Sequence, residues 1–122
     1  MTGRVIVLAQ DLIWAERLAR AVQAVGAEPV RVASIEGLEG ALSGGRAAII
    51  DLTALAYDGV AAIEAARAAG ARVLAVGQHD DHALRKRALA AGADRVYAYR
   101  KLFEDGPATI EAWLARPAEI EA

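Results

Sequence analysis

The chain contains no cysteine. That excludes a disulfide framework, a thiol nucleophile and any cysteine-held metal. Aromatic residues make up only 5% of the 122 residues, so a core has to be assembled mainly from Ala, Val, Leu and Ile. No apolar run approaches the ~18 residues of a membrane span, and no membrane contact is expected. No charged-then-apolar leader precedes Arg4, which makes a cytoplasmic protein the default expectation. Charge of one sign is also missing: a formal net charge of −2 gives no bulk attraction to nucleic acid. The first strand-to-helix turn has no glycine and Gly77 stands alone, so there is no phosphate-cradling loop. No Ser-His-Asp order with a nucleophile elbow occurs. Without a nucleophile–base pair, no enzymatic turnover is expected.

What the sequence does have is a run of short apolar stretches. The most telling is Ala47-Ala48-Ile49-Ile50-Asp51, four apolar residues leading into one carboxylate. Such a run reads as a buried strand. A carboxylate at its carboxyl end lies where open α/β sheets place their sites, although capping the next helix would also account for it. Arg4 to Ala9 is a second strand-like run. Trp14, Leu18, Val22 and Val25 then recur at helical spacing and stop at Gly26. Pro29 to Ala33 alternates, as an edge strand tolerating proline would. Ser34 is a plausible cap for a weak helix interrupted by Gly37 and Gly40. After Asp51 comes a loop to Gly59, then a helix over Val60, Ile63 and Ala66 ending at Gly70.

Val73 to Val76 is the fourth strand. Asp80 or Asp81 caps a helix carrying Leu84, Ala88 and Ala91 inward and Arg85-Lys86-Arg87 outward, and Gly92 ends it. Asp94 to Tyr99 is the fifth strand. The last helix is expected to start at Pro107, where a first turn accepts proline, and to bury Ile110, Trp113 and Leu114. Pro117 should end it ahead of a frayed tail over about 117–122. Trp14 and Trp113 both fit buried stripes. Residues 1–122 read as one domain. Five strands alternating with five helices imply parallel strands joined by right-handed crossovers, hence a three-layer α/β sandwich.

The apolar run ending in Asp51, the Ala90-Ala91-Gly92-Ala93-Asp94 segment and the spacing of the elements together resemble the receiver (CheY-like) domain of bacterial two-component response regulators, over essentially the whole chain. The resemblance implies a flavodoxin-like (βα)5 fold with strand order 2-1-3-4-5. It also implies aspartyl phosphorylation. In the family, an Asp ending the third strand attacks the phosphoryl group, and two acids ending the first strand help it hold Mg²⁺. A Ser or Thr ending the fourth strand and a Lys ending the fifth contact the phosphoryl oxygens, because a carboxylate approaches a phosphate dianion only when that charge is neutralised.

Carried over position by position, Asp51 is the phospho-acceptor position. The two acids fall on Ala9 and Gln10, with Asp11 next and expected to cap the first helix. The Ser/Thr position falls on Gly77 and the Lys position on Tyr99, with Arg100 and Lys101 following. The family's aromatic switch position falls on Val96. The resemblance is therefore to a pseudo-receiver lacking most of the phosphorylation residues. No metal site or cofactor is expected, Mg²⁺ included. The first expectation is a stand-alone regulatory module acting through an unidentified protein partner. A small-molecule or anion sensor is the alternative, its crevice formed by Gln10, Asp11, Asp51, Gly77, His79, Tyr99 and Arg100; residual phosphorylation of Asp51 is another. Asp51 is expected at a wet rim, either unpaired or paired with Arg100 or Lys101. The family's α4-β5-α5 surface makes Arg85, Lys86, Arg87, Tyr97, Lys101 and Glu104 interface candidates, with a homodimer through that face.

Overall fold

A computed structural model describes residues 3–44 and 46–115. The elements run β1 (Arg4–Leu8), α1 (Leu12–Ala24), β2 (Glu28–Val32), α2 (Ile35–Ala41, continued by a 3-10 turn over Leu42–Gly44), β3 (Ala47–Asp51), α3 (Gly59–Ala68), β4 (Arg72–Gly77), α4 (His82–Ala91), β5 (Arg95–Ala98) and α5 (Tyr99–Ala115). All strand pairs are parallel and their order is β2-β1-β3-β4-β5. This is the flavodoxin-like arrangement expected above, with β2 and its Pro29 at one edge.

Strand periodicity divides the core. Side chains alternate between the two sheet faces, so Ile6, Leu8, Ala48, Ile50, Val73 and Ala75 join a cluster with Leu38, Ile63 and Ala66 from α2 and α3. Their neighbours Val5, Val7, Ile49, Leu74 and Val76 pack on the other face with Leu18, Val22, Ile110 and Trp113 from α1 and α5. Every residue of β3 is buried. That is why β3 reads as a continuous apolar run, and why its carboxylate ends up below the surface.

The helix ends are those the sequence announces. Asp11, Ser34, Asp58 and Asp81 each accept backbone N–H groups at a helix start, and Gly92 closes α4 with φ 118°. Asp11 is a capping residue: its Oδ1 takes Ile13 N and Trp14 N. Two expectations fail at the carboxyl end. β5 stops at Ala98, and a helix begins at Tyr99 and bends at Asp105 (φ −145°, ψ 36°) before resuming through Pro107. Proline lacks the N–H that would bond back one turn, so the proline-led segment is a second helical piece stacked on an earlier one. The expected stop at Pro117 and the tail after it lie outside the described residues. Trp113 is buried as expected, whereas Trp14 is only half-buried.

Candidate functional site

The carboxyl ends of β1, β3, β4 and β5 converge around Asp51. Its residue surface is 3% exposed, so it does not sit at a wet rim. Thr53 N and Thr53 Oγ1 each donate to Asp51 Oδ1 at 3.0 Å. The first of these is the turn that an Asp offers the backbone two residues on. The Tyr99 hydroxyl donates to the same oxygen and also touches Thr53 Oγ1. One carboxylate oxygen thus gathers three donors, and among the described residues none reaches Oδ2.

Behind this cluster, the Tyr57 hydroxyl reaches the backbone carbonyls of Leu8 at 3.1 Å and Asp51 at 2.7 Å, tying the ends of β1 and β3 together. Burial and then the charge of Asp51 push the Tyr57 pKa up. Tyr99 is raised too, first by burial and next by its hydrogen bond to Asp51. Both phenols are therefore neutral donors at physiological pH. The Tyr99 ring lies against Trp14, centroids 4.6 Å apart, so the start of α5 is braced on α1.

The other residues singled out in the sequence divide. Ala9 is buried beside the site. Gln10 turns its Oε1 onto Leu55 N (2.9 Å) and Ala56 N (3.2 Å), fastening the β3-α3 loop to the end of β1. Gly77 ends β4; a Cβ there would meet Leu52 Cδ1 at 3.4 Å, an ordinary contact. His79 and His82 are exposed, and no group of three potential metal ligands occurs among the described residues.

The expected cation is elsewhere. Arg100, placed by the early helix start, pairs with Glu104 at 2.9 Å on the exposed side of α5. Lys101 lies 3.9 Å from Asp105 and over the Tyr97 ring. Neither reaches Asp51, so the crevice pictured around Gln10, His79 and Arg100 does not assemble. On α4, Arg85 is exposed as expected, and its guanidinium also donates to the Val96 carbonyl at 2.6 Å. Lys86 and Arg87 are exposed. Thr53 and Tyr57 were not anticipated as part of the site. The Asp51-Leu52-Thr53 spacing carried the turn signal for Thr53; Tyr57, alone in a loop, carried none.

A Mg²⁺ ion needs oxygen ligands close to octahedral array. The residues here do not fit it. Ala9 has no ligand atom, Gln10 is held on backbone amides, Asp11 is held on the α1 amides, and Asp51 Oδ1 is already surrounded by donors.

No protein-family model matches the sequence, and no curated protein matches it. Solved structures do match its fold. A response regulator from Thermotoga maritima superposes with a TM-score of 0.80 at 13% identity, over 95% of this chain and 100% of the other. A BeF3-activated DrrB receiver domain gives 0.83 at 15% identity over the same shares. A CheY-like receiver domain from Methanospirillum hungatei gives 0.72 at 19%, over 93% of this chain and 98% of the other. At these identities the likeness is one of fold: this chain is folded as response-regulator receiver domains are. Among the described residues, no helix is long and apolar enough to cross a membrane.

Proposed function

We propose that the protein is a receiver-fold regulatory module that works through protein contacts from a fixed conformation, without Mg²⁺-dependent phosphorylation of Asp51. The supporting observation is the Tyr99 hydroxyl on Asp51 Oδ1. In the resembled family this position carries a lysine whose charge neutralises the incoming phosphoryl group. A neutral phenol supplies a hydrogen bond and no charge, and it engages the very carboxylate that would attack. The developing negative charge of phosphoryl transfer then has neither metal nor cation to meet.

The same arrangement supports a fixed surface. Gly77 has no hydroxyl and Val96 no ring, so the paired movement the resemblance would imply for those positions has no side chains to carry it. Tyr99, held by Asp51 on one side and Trp14 on the other, fastens α5 in place. The module is assigned no turnover of its own.

The test is chemical. The protein is incubated with acetyl phosphate and Mg²⁺ and its intact mass is measured. No phosphoryl adduct is expected, and no change in backbone amide spectra when beryllium fluoride and Mg²⁺ are added. An unmodified mass with an unchanged spectrum supports the reading. A hydroxylamine-sensitive adduct that disappears in Asp51→Asn refutes it.

A further inference from the structure

Among the described residues, five large apolar side chains stand exposed: Leu12, Ile13, Leu55, Leu89 and Phe103. Three of them border one feature. A groove of about 590 Å³ runs between α1 and α5, and Leu12, Ile13 and Phe103 line it together with Glu16, Arg17 and Arg20. Leu12 is 75% exposed, Ile13 72% and Phe103 59%, in a chain with few aromatics to place anywhere. The bend at Asp105 shapes the groove. It sets Gly106 against α1, where a Cβ would lie 3.4 Å from the Ala21 Cβ, and puts Pro107 in the groove's lining. The two helices are thus close at Gly106 and Ala21 and meet again where Trp14 lies against Tyr99.

The charge around the groove is lopsided. Glu16 is shared between Arg20 at 2.7 Å and Arg31 at 2.9 Å. Arg17 has no acidic partner within ion-pair distance among the described residues; its guanidinium lies over the Phe103 ring at 4.4 Å and the Trp14 ring at 5.6 Å. The groove lining therefore carries two arginines and one glutamate, which Arg31 of β2 also shares, on a protein whose net charge is negative. Stacked on rings, the Arg17 guanidinium keeps its N–H edges free for a carboxylate. A cleft between two helices with exposed apolar walls and a basic rim suits an amphipathic helix with acidic residues beside its apolar stripe.

We infer that the α1–α5 groove is the docking site of an acidic amphipathic helix of a partner protein, its apolar side chains seated on Leu12, Ile13 and Phe103 and its carboxylates on Arg17 and Arg20. The inference names the contact surface of the module proposed above and rests on that reading. It also links the surface to the Asp51 cluster, because Trp14 touches both Arg17 and Tyr99.

The probes are a synthetic amphipathic peptide with leucines on one helical face flanked by glutamates, and its twin with lysine at every glutamate. Amide shifts of the isotope-labelled full chain report binding. The acidic peptide should bind saturably with shifts in α1 and the start of α5, and the lysine twin about tenfold or more weakly. Phe103→Ser and Ile13→Ser, both at exposed positions, should abolish binding. Arg17→Glu should reverse the preference between the peptides, and Leu89→Ser on α4 should leave it unchanged. Failure of the acidic peptide to bind, equal binding of the twins, or sensitivity to Leu89→Ser overturns the inference. So does a dimer of the chain alone that dissociates on Phe103→Ser, or sedimentation of the chain with phosphatidylserine vesicles, since these name another occupant. A phosphoryl adduct on Asp51 with peptide binding intact refutes only the reading above; absent peptide binding with no adduct refutes only the groove.

Discussion

Tyr99 and Asp51 stand at the carboxyl ends of two strands that are not neighbours in the sheet. Asp51 ends β3 and Tyr99 follows β5, with β4 between them, yet the Tyr99 hydroxyl donates to Asp51 Oδ1. The bond joins the α3 and α5 sides of the domain across the carboxyl edge of the sheet, and it has a stability consequence. Asp51→Ala leaves Thr53 N, the Thr53 hydroxyl and the Tyr99 hydroxyl without their common acceptor; Thr53 is exposed and can turn to water, so a loss of about 1–3 kcal/mol is expected, mostly from the half-buried Tyr99 hydroxyl. Tyr99→Phe removes one donor and keeps the ring on Trp14, so about 1–2 kcal/mol is expected. Asp51→Asn keeps an acceptor oxygen and should fall between wild type and Asp51→Ala. Urea midpoints measure all three. Equal midpoints for wild type and Asp51→Ala would show that the cluster holds nothing together.

The raised pKa values of Tyr57 and Tyr99 give an alkaline signature. Both exceed the ordinary phenol value of 10.0 in the folded protein. Above pH 10 the unfolded chain loses these protons while the folded chain keeps them. The folded state then binds more protons, so stability must fall as pH rises. The contribution is complete below pH 10 and is lost from there upward through the folded-state values. Urea midpoints between pH 8 and pH 11 should be level at first and then decline, with a shallower decline in the Tyr57→Phe/Tyr99→Phe double variant. A double variant as steep as wild type would place the alkaline loss on other groups.

The fold was legible because each element advertises itself locally. The β3 run is unbroken because both faces are covered, and the expected caps Asp11, Ser34 and Asp81 and the stop at Gly92 sit where the helix ends are, while the Asp58 cap of α3 was not anticipated. The site was legible only in part. Asp51 could be located by its place after an apolar run, but its burial could not, because a strand end reads alike whether or not a later tyrosine covers it. Arg100 was misplaced for a definite reason. Asp105-Gly106-Pro107 is so strong a helix-start signal that Tyr99 to Glu104 read as strand and loop. One earlier helical turn rotates Arg100 away from the sheet edge and toward Glu104 four residues on, the spacing at which helical charges pair.

Asp94 should matter more to stability than to any contact with a partner. Its Oδ2 accepts Val73 N at 2.8 Å and Trp113 Nε1 at 3.4 Å, and Arg67 lies 3.9 Å from Oδ1. One side chain therefore joins α3, β4 and α5 at the amino edge of the sheet. Asp94→Ala is expected to cost about 2–4 kcal/mol, as loss of a charged acceptor to buried donors does, and to shift the emission of Trp113. Asp94→Asn should recover part of this. A midpoint within experimental error of wild type would show that water replaces the carboxylate at no cost.

Assembly through the α4-β5-α5 face remains a proposal, now with fewer charges to carry it. Lys86 and Arg87 are exposed on α4, while Glu104 is paired with Arg100 and Asp105 lies near Lys101 on α5. A two-fold contact would bring the basic patch of one copy onto the acidic patch of the other. Arg85 belongs to the fold through Val96, so the informative variant is Lys86→Glu/Arg87→Glu. Sedimentation should show a wild-type dimer that this variant dissociates, with no effect of acetyl phosphate on either. A wild-type monomer at high concentration, or a dimer unmoved by both charge reversals, would remove this face as the self-contact.

The departures at Ala9 and Gln10 can be reversed to ask what the edge of the sheet has given up. Ala9 is 4% exposed, so a carboxylate placed there lies close to buried Asp51 with little water to screen the repulsion. Gln10→Asp shortens the side chain that holds Leu55 N and Ala56 N and adds a second charge. Wild type should show no saturable change in stability on Mg²⁺ addition. Ala9→Asp/Gln10→Asp should be destabilised in chelator by about 3–5 kcal/mol, the range for a buried charge without its partner, and Mg²⁺ should restore much of the loss because the ion binds the folded state alone. Thermal melts with and without Mg²⁺ separate the possibilities. A variant equally stable with and without the ion would mean that Tyr99, by covering Asp51 Oδ1, blocks the metal even when the acids are returned. Adding Tyr99→Lys to the variant should then bring the Mg²⁺ response back.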